Sequence, residues 1–569
     1  MKHLLSFPIA IGILLTIVSS CTHADPAPVT PPVIPVVEDT LVSIPIPQTD
    51  SLEIAAFLRA HTDWSAGNDL QEYYGKRDFR FAWFNEYGLR EEAGFFLNLV
   101  QHIGEEGISD TAKFFHETEV LFTQLGGTDY AYVGKDSLNL QLELLLTGQF
   151  FAYADRVWNG LSESTSRSLQ WYIKRKQLTY GDLLDSLLVN GPSAFGAGIH
   201  MIAQYDLLRH ALESYTALGD TTWPLISPGI DKTKLVLGDS SAEVLSIQER
   251  LLVLGDLDSL ENPGVFDQAT DLAVRKFQYR HGLVEDGEAG KAFFGQINIS
   301  PKDRALQIRA NMERCRWVPS EPQGDYIMVN IPEFKMHVYE HDSLVFSMNT
   351  IVGKTSSSTI IFNDELEYIV FSPYWVVPSS IIQAEIVPAM IKDPAYLARN
   401  HMEVYDLSSK EVIPSSGIHW AGYSGGKFPY GIRQRPGAFN SLGWVKFLFP
   451  NQYYIYFHDT PSRDLFNRNQ RSFSHGCIRL AEPQKLAEYL LRNDSLWPVD
   501  RIDTVMHGGV ETYVKLPAPI PVFIAYFTAW VDEYGFVQFR QDIYDHDKAL
   551  KPYLEPAADN KKIMASGTE

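Results

Sequence analysis

Near its carboxyl end the chain reads Phe473-Ser474-His475-Gly476-Cys477-Ile478-Arg479-Leu480, a stretch holding one of only three cysteines in 569 residues. A cysteine thiol becomes a strong nucleophile when a nearby base takes its proton. Two histidines are candidates for that base. His475 lies two residues before Cys477, so its ring need not face the thiol. His458 lies nineteen residues upstream, at the end of Tyr454-Ile455-Tyr456-Phe457-His458. If that run is a strand, Tyr454, Tyr456 and His458 share one face and Ile455 and Phe457 the other. The apolar pair would enter a core, and the polar-tipped set would line a site. Gly476 permits a tight turn that brings bare backbone close to a substrate. The amides of Gly476 and Cys477 could hold the oxyanion of a tetrahedral intermediate, with Ser474 bonding inside the turn. Arg479 offers a planar fork to a substrate carboxylate or to an internal acceptor. Zinc is the rival, since it wants three or four ligands and Asp459, His458, His475 and Cys477 stand together. No C-x-x-C or H-x-x-x-H spacing accompanies them, so neither a metal nor another cofactor is expected.

These residues need elements to hold them. From Asp325 onward the apolar period is two: Tyr326 to Ile331, Met336 to Tyr339 and Leu344 to Gly353 read as consecutive strands, continued by Glu367 to Phe371. Residues 384–451 break this pattern with scattered Gly, Pro and aromatics, as in Trp420-Ala421-Gly422-Tyr423-Ser424-Gly425-Gly426, and read as an inserted cap. Strands return at Tyr453 to His458. A helix follows from Pro483 to Leu491, then a final strand pair over Pro521 to Asp532 and Gly535 to Phe539. The β-rich region is placed at 322–550, with a polar tail over 551–569.

Upstream, residues 51–230 read as helical. Leu142, Leu145, Leu146 and Phe150 recur at helical spacing, while Tyr74-Gly75 and Phe84 to Gly88 look like turns. Residues 238–300 form a smaller unit. Val244, Ile247, Leu251 and Leu254 make one helix that stops at Gly255. Asp267 caps a second, and Asp286-Gly287 opens a third.

The amino terminus carries a short apolar run, Phe7 to Val18, followed by Val18-Ser19-Ser20-Cys21. The run is too short to span a bilayer and reads as a signal peptide over 1–21. Small residues before Cys21 resemble a bacterial lipobox, in which the cysteine is lipidated. Prolines through residues 22–50 then make an extended tether. With Cys21 lipidated, only Cys315 and Cys477 are left, too few for a disulfide framework. The formal charge of −22 argues against a nucleic-acid partner.

Two resemblances follow. The pattern Gln248-Glu249-Arg250-Leu251-Leu252, Gly255, Phe266-Asp267, Phe277-Gln278, Gly282-Leu283, Asp286-Gly287 resembles the peptidoglycan-binding domain found beside many cell-wall enzymes. Ser474 to Arg479, with His458 upstream, resembles the signature of the L,D-transpeptidases with a YkuD-type catalytic domain. Val329-Asn330-Ile331-Pro332, Val352-Gly353-Lys354, Pro373 to Pro378, Arg433 to Gly437 and His458-Asp459-Thr460-Pro461 are similar to the large multi-domain branch of that family.

The resemblance implies a multi-domain α+β protein. It would have a helical scaffold, a small three-helix peptidoglycan-binding-like domain and a mostly β catalytic domain with an inserted cap. It also implies a chemistry. The cysteine attacks the carbonyl between the third residue of a stem tetrapeptide and its terminal D-alanine. D-alanine leaves, and the side-chain amine of a second stem takes the acyl group in a 3→3 cross-link. Carried over, Cys477 is the nucleophile and His458 the base. Backbone groups near Gly476 and Cys477 would form the oxyanion hole, Ser474 and His475 would shape the turn, Arg479 would shape the site or hold the donor, and Tyr456 would line it. Water as acceptor would make a carboxypeptidase, and a protein amine an anchoring enzyme. A wall-binding scaffold with a vestigial cysteine is the non-catalytic alternative, against which the intact set speaks. The implied partners are peptidoglycan stem peptides and glycan, with a membrane reached through lipid on Cys21, in the periplasm of the cell envelope. Two positions depart from the family. Cys315 stands where a tryptophan is expected, and Thr359 lacks the proline that usually follows it.

Overall fold

The computed structural model describes residues 46–62, 67–108, 113–126, 136–192, 201–219, 221–229, 231–319, 324–341 and 343–555. The signal-like segment, Cys21, the tether to residue 45 and the end of the tail lie outside the described residues. The described chain is helical in its first half and mostly β in its second.

The helical region packs around Ser137–Ala154, whose N-cap Asp136 accepts from the amides of Leu138 and Asn139. The stripe of Leu142, Leu145, Leu146 and Phe150 is fully buried, but so are Leu144 and Phe151 on other faces. Neighbours enclose this helix all round, which a stripe alone does not reveal. Glu143 is buried among them and accepts from the Tyr74 hydroxyl (2.6 Å) and the Trp83 amide (3.0 Å). This tie corrects the expected turn at Tyr74-Gly75, which lies inside the helix Gly67–Lys76. Phe84–Asn85 and Gly88–Leu89 do pair as a small hairpin.

The next unit holds helices Ala242–Val253, Gln268–Arg280 and Lys291–Ile297 around Val244, Ile247, Phe266, Val274, Phe277 and Phe293. Asp267 caps the second helix through Thr270. The third starts after Gly290 rather than at Asp286-Gly287, because Ala289 first bridges to Leu235. The long helix Pro301–Trp317 then leads into the β region, with Pro301 in its first turn.

The β region is one sheet closed on itself. Its strands are β1 (Tyr326–Asn330), β2 (Lys335–Glu340), β3 (Ser343–Gly353), β4 (Phe362–Phe371), β5 (Val445–Leu448), β6 (Phe457–His458), β7 (Ser472–Ser474), β8 (Ile478–Leu480) and β9 (Thr512–Ala525). The order is β3-β8-β6-β5-β4-β9-β1-β2, with β2 returning to β3 and β7 beside β3. Closure removes the exposed edges that an open sheet must protect. Inward residues such as Val329, Val338, Ile369, Phe447, Phe457 and Ile478 fill the ring.

Between β4 and β5 the insertion builds its own four-stranded sheet from Trp375–Val376, Met402–Tyr405, Val412–Ile413 and Gly431–Gln434. It has a separate core that includes Ile386, Val404, Trp420 and Ile432. The expected cap over 384–451 therefore needs correcting. Val445–Leu448 is a ring strand, paired with β4 on one side and β6 on the other, and Val445 and Phe447 are fully buried. The closing strand pair also differs. Pro521 falls within β9, and the hairpin is Ala529–Val531 with Val537–Phe539.

Candidate active site

β6 and β8 run parallel, with Phe457 opposite Ile478 and His458 opposite Arg479. The Ile478 amide donates to the Tyr456 carbonyl at 3.2 Å, so Cys477 stands beside Tyr456. Phe457 and Ile478 are fully buried inside the ring. Alternation then puts Tyr456, His458, Cys477 and Arg479 together on the outer face. The strand is shorter than the expected Tyr453 to His458 and covers only Phe457–His458, although buried Ile455, half-buried Tyr456 and buried Phe457 keep the expected phase. Tyr454 leaves it, because its backbone is left-handed (φ 57°) and its side chain is exposed.

His458 is buried, and its Nδ1 lies 2.5 Å from the Asp459 carbonyl. A carbonyl only accepts, so Nδ1 carries the proton and Nε2 keeps a free lone pair. Burial, helped by the Arg479 and Lys446 charges, pulls the His458 imidazole down to about 3. The ring is neutral at physiological pH and able to accept a proton. The Tyr456 ring lies 5.8 Å from it. The Asp459 carboxylate points elsewhere, accepting from the amides of Trp444 (2.9 Å) and Thr460 (2.7 Å) and pairing with Arg463.

Cys477 is a free, partly buried thiol, and burial pushes it above the ordinary thiol range against the opposing pull of Tyr456 and Arg479. Its Sγ donates to the Tyr454 carbonyl at 3.6 Å. The thiol and imidazole thus rest as a neutral pair. Arg479 differs from Arg90 and Arg175, whose Nε atoms are also buried without a partner but whose outer nitrogens donate to backbone carbonyls. Its Nε is shielded from solvent and has no hydrogen-bond partner among the described residues. A buried donor left unpaired is costly, which favours an external acceptor over an internal one.

The turn carrying Cys477 is tied from several sides. Ser474 Oγ donates to the Cys477 carbonyl (2.6 Å) and accepts from the Gly476 amide (3.1 Å). The Gly476 amide is therefore committed within the turn, which corrects its expected part in an oxyanion hole. The Cys477 amide is the one left for that use. Gly476 serves through its backbone, at φ 118°, a conformation that L side chains rarely adopt. The Nε2 of His475 lies 3.3 Å from Glu385 of the insertion.

Two residues behind the turn escaped sequence reasoning. Thr359 Oγ1 donates to the Gly476 carbonyl at 2.8 Å and accepts from the Gly353 amide at 2.9 Å. Tyr544, far along the chain, donates from its hydroxyl to the Gly353 carbonyl and accepts from the Thr359 amide at 3.3 Å. A Cβ on Gly353 would collide with backbone at Ser357 and Thr359, so only glycine lets these loops meet. The missing proline after Thr359 marked the position without showing its task. Nothing local marks Tyr544. Cys315 is buried on its helix, with its thiol pushed up to about 12 by burial. Among the described residues, no three His, Cys, Asp or Glu side chains gather to hold a metal.

A partly buried thiol, a neutral imidazole and an unpaired guanidinium on one face define a site suited to acyl transfer. Residues 324–504 match the model of the L,D-transpeptidase catalytic domain (YkuD), 68–212 that of the Scaffold domain, and 240–297 that of the “Putative peptidoglycan binding domain”. A “Putative L,D-transpeptidase” of Haemophilus influenzae is 32% identical over 294 residues, which span 52% of this chain and 58% of that protein. The match thus covers under two thirds of the relative's length. Similar solved structures include an L,D-transpeptidase from Xylanimonas cellulosilytica, at 15% identity over 52% of this chain and 100% of that one, with a TM-score of 0.17. Another is the L,D-transpeptidase (Yku) from Stackebrandtia nassauensis, at 12% identity over 52% and 97%, with a TM-score of 0.20. Three stretches of the chain thus match, in order, a scaffold domain, a peptidoglycan-binding domain and a YkuD L,D-transpeptidase catalytic domain.

Proposed function

We propose that the protein forms 3→3 peptidoglycan cross-links through a thioester on Cys477. Cys477 Sγ attacks the carbonyl carbon between the third stem residue and the terminal D-alanine. Its proton passes to His458 Nε2, and the Cys477 amide holds the oxyanion. The carbon–nitrogen bond breaks, the D-alanine amine takes the proton from His458, and D-alanine leaves. A side-chain amine of a second stem then attacks the thioester. His458 accepts a proton from that amine and returns it to the departing sulfur. Arg479 pairs with a carboxylate of the donor stem, and Tyr456 walls the site. Ser474 and His475 shape the turn.

The observation that supports this reading most is the 2.5 Å contact of His458 Nδ1 with the Asp459 carbonyl. A carbonyl only accepts, so this contact assigns the proton to Nδ1 and leaves Nε2 as the base on the face that carries Cys477. The same reading puts the protein in the periplasm, tethered to a membrane by lipid on Cys21.

Incubation of the purified protein with disaccharide-tetrapeptide, followed by mass spectrometry, tests the proposal. Cross-linked dimer and free D-alanine are expected, with both lost in Cys477→Ala. Tripeptide without dimer would identify water as the acceptor and overturn the cross-linking assignment. Unchanged products from Cys477→Ala would overturn the cysteine mechanism. Acylation of Cys477 by a carbapenem offers a second readout.

A further inference from the structure

A cleft of about 820 Å³ lies on the opposite arc of the ring from Cys477. Its floor is the outer face of β1, β2 and β9, with Ser347 from the near end of β3. Its walls are the Ala529–Val531 hairpin, the helix Ala203–Ala217 and Tyr279 of the peptidoglycan-binding domain. Three domains therefore meet around it.

The walls are locked. Gln204 of the scaffold helix exchanges two hydrogen bonds with the Val531 backbone, at 2.7 and 2.9 Å. Tyr279 donates to Asp532 at 3.0 Å, and Arg540 donates to the Arg280 carbonyl at 3.1 Å. A cavity held by such ties exists before a ligand arrives, which lowers the cost of binding.

The lining combines two chemistries. Tyr339, Phe523, Trp530 and Tyr279 present aromatic carbon. Planar polar groups sit among them in fixed orientations. His337 bonds Glu333 at 3.0 Å and Ser347 at 2.7 Å. Gln538 donates to Asp532 at 2.7 Å and accepts from Arg540 at 3.1 Å, and Arg540 lies 4.7 Å over the Trp530 ring. The three carboxylates of Glu333, Asp532 and Glu533 outnumber the cations Lys335 and Arg540 by one, so the cleft disfavours a strongly anionic ligand. A volume of this size lies in the upper part of the range for ligand sites, about 300 to 1,000 Å³.

We infer that this cleft binds the glycan strand of peptidoglycan, a chain of N-acetylated sugars. Sugar rings have apolar C–H faces that pack on aromatic rings. Their hydroxyl and acetamido edges both donate and accept, matching fixed carboxylate, amide, imidazole and guanidinium groups. The inference rests on the reading that the protein acts on peptidoglycan. It adds that the peptidoglycan-binding domain holds glycan jointly with the catalytic sheet, through Tyr279, rather than alone.

The test uses the full chain carrying Cys477→Ala, so that no turnover intervenes. Peptide-free glycan strands and free stem tetrapeptide are titrated separately by calorimetry. Glycan is expected to bind, and Trp530→Ala or Tyr339→Ala to weaken it about tenfold or more. Tyr279→Ala, at a half-buried edge, should weaken it with the thermal midpoint unchanged, which separates contact from misfolding. Glycan affinity indifferent to all three variants would overturn the inference. So would tetrapeptide binding that these variants abolish, because the occupant would then be peptide. The two readings fail separately. Thioester formation at Cys477 without glycan binding sinks only the cleft, and glycan bound there without any thioester sinks only the acyl transfer.

Discussion

The molecule holds two cysteines beside arginines among its described residues, and they teach opposite lessons. In the helix Pro301–Trp317, Cys315 is sealed, and the arginines flanking it are fully engaged. Arg316 pairs with Glu313 at 3.0 Å and donates to the carbonyls of Val157 and Glu106, while Arg314 pairs with Asp547 at 2.6 Å. At the turn after β7, Cys477 is partly open, and the buried Arg479 Nε has no partner. The first region is closed and spends its charges on joining the scaffold to the β domain. The second leaves a charge unmatched and a thiol within reach, as a site awaiting an anionic substrate would.

The largest expected contrast is between the thiols themselves. Cys477→Ala should lower cross-linking by roughly 10⁴-fold or more, the scale seen when a nucleophile is removed. Cys315→Ala should leave turnover within about twofold and cost about 1–2 kcal/mol of stability, since only packing is lost. Product assays and thermal melts on the two variants check both halves.

The arginines should divide likewise. Arg479→Ala should cost about 2–4 kcal/mol in kcat/KM, roughly 30- to 1,000-fold, with the melt little changed. Arg316→Ala should instead destabilise the fold by about 3–5 kcal/mol, because buried Glu313 would lose its 3.0 Å ion pair and keep only Arg156 at 3.9 Å, while the Val157 and Glu106 carbonyls lose their donor. Steady-state kinetics and denaturant titrations distinguish the two. A stability loss for Arg479→Ala matching that of Arg316→Ala would erase the contrast.

Much of the site was legible before the fold. The chemistry-bearing types sit in two short stretches, and one strand's alternation selects His458 over His475. What was hidden depends on distant contacts. Thr359 and Tyr544 brace the turn from segments that sequence spacing cannot bring to Cys477, and commitment of the Gly476 amide depends on the rotamer of Ser474. The cap boundary erred at Val445–Leu448 because a four-residue strand flanked by Gly and Pro has too few residues to display its period. Tyr74-Gly75 looked like a turn because glycine is a frequent turn residue, and the tie from Tyr74 to Glu143 depends on a helix far along the chain.

Thr359→Val should slow acylation about tenfold, as the loss of its bonds to the Gly476 carbonyl and the Gly353 amide costs about 1–2 kcal/mol. The overall fold should persist, and stopped-flow acylation with near-ultraviolet circular dichroism checks both points.

The smallest expected effect is that of pH. His458 is depressed to about 3, so it stays neutral above that value, and Cys477 is raised, so it stays a thiol through neutral pH. Acylation should be nearly flat between about pH 5 and 8, without the acid limb that a histidine of ordinary pKa would impose. A limb near pH 6.5 that disappears on changing His458 would contradict the neutral resting pair.

The most direct test of the central claim is the covalent state of the two thiols. The protein is mixed with disaccharide-tetrapeptide, quenched in acid during turnover, digested and weighed by mass spectrometry. The account predicts a donor acyl group, lacking its terminal D-alanine, on the peptide that bears Cys477, with Cys315 unmodified. Product formation with no adduct on Cys477, or an adduct on Cys315 alone, would contradict it.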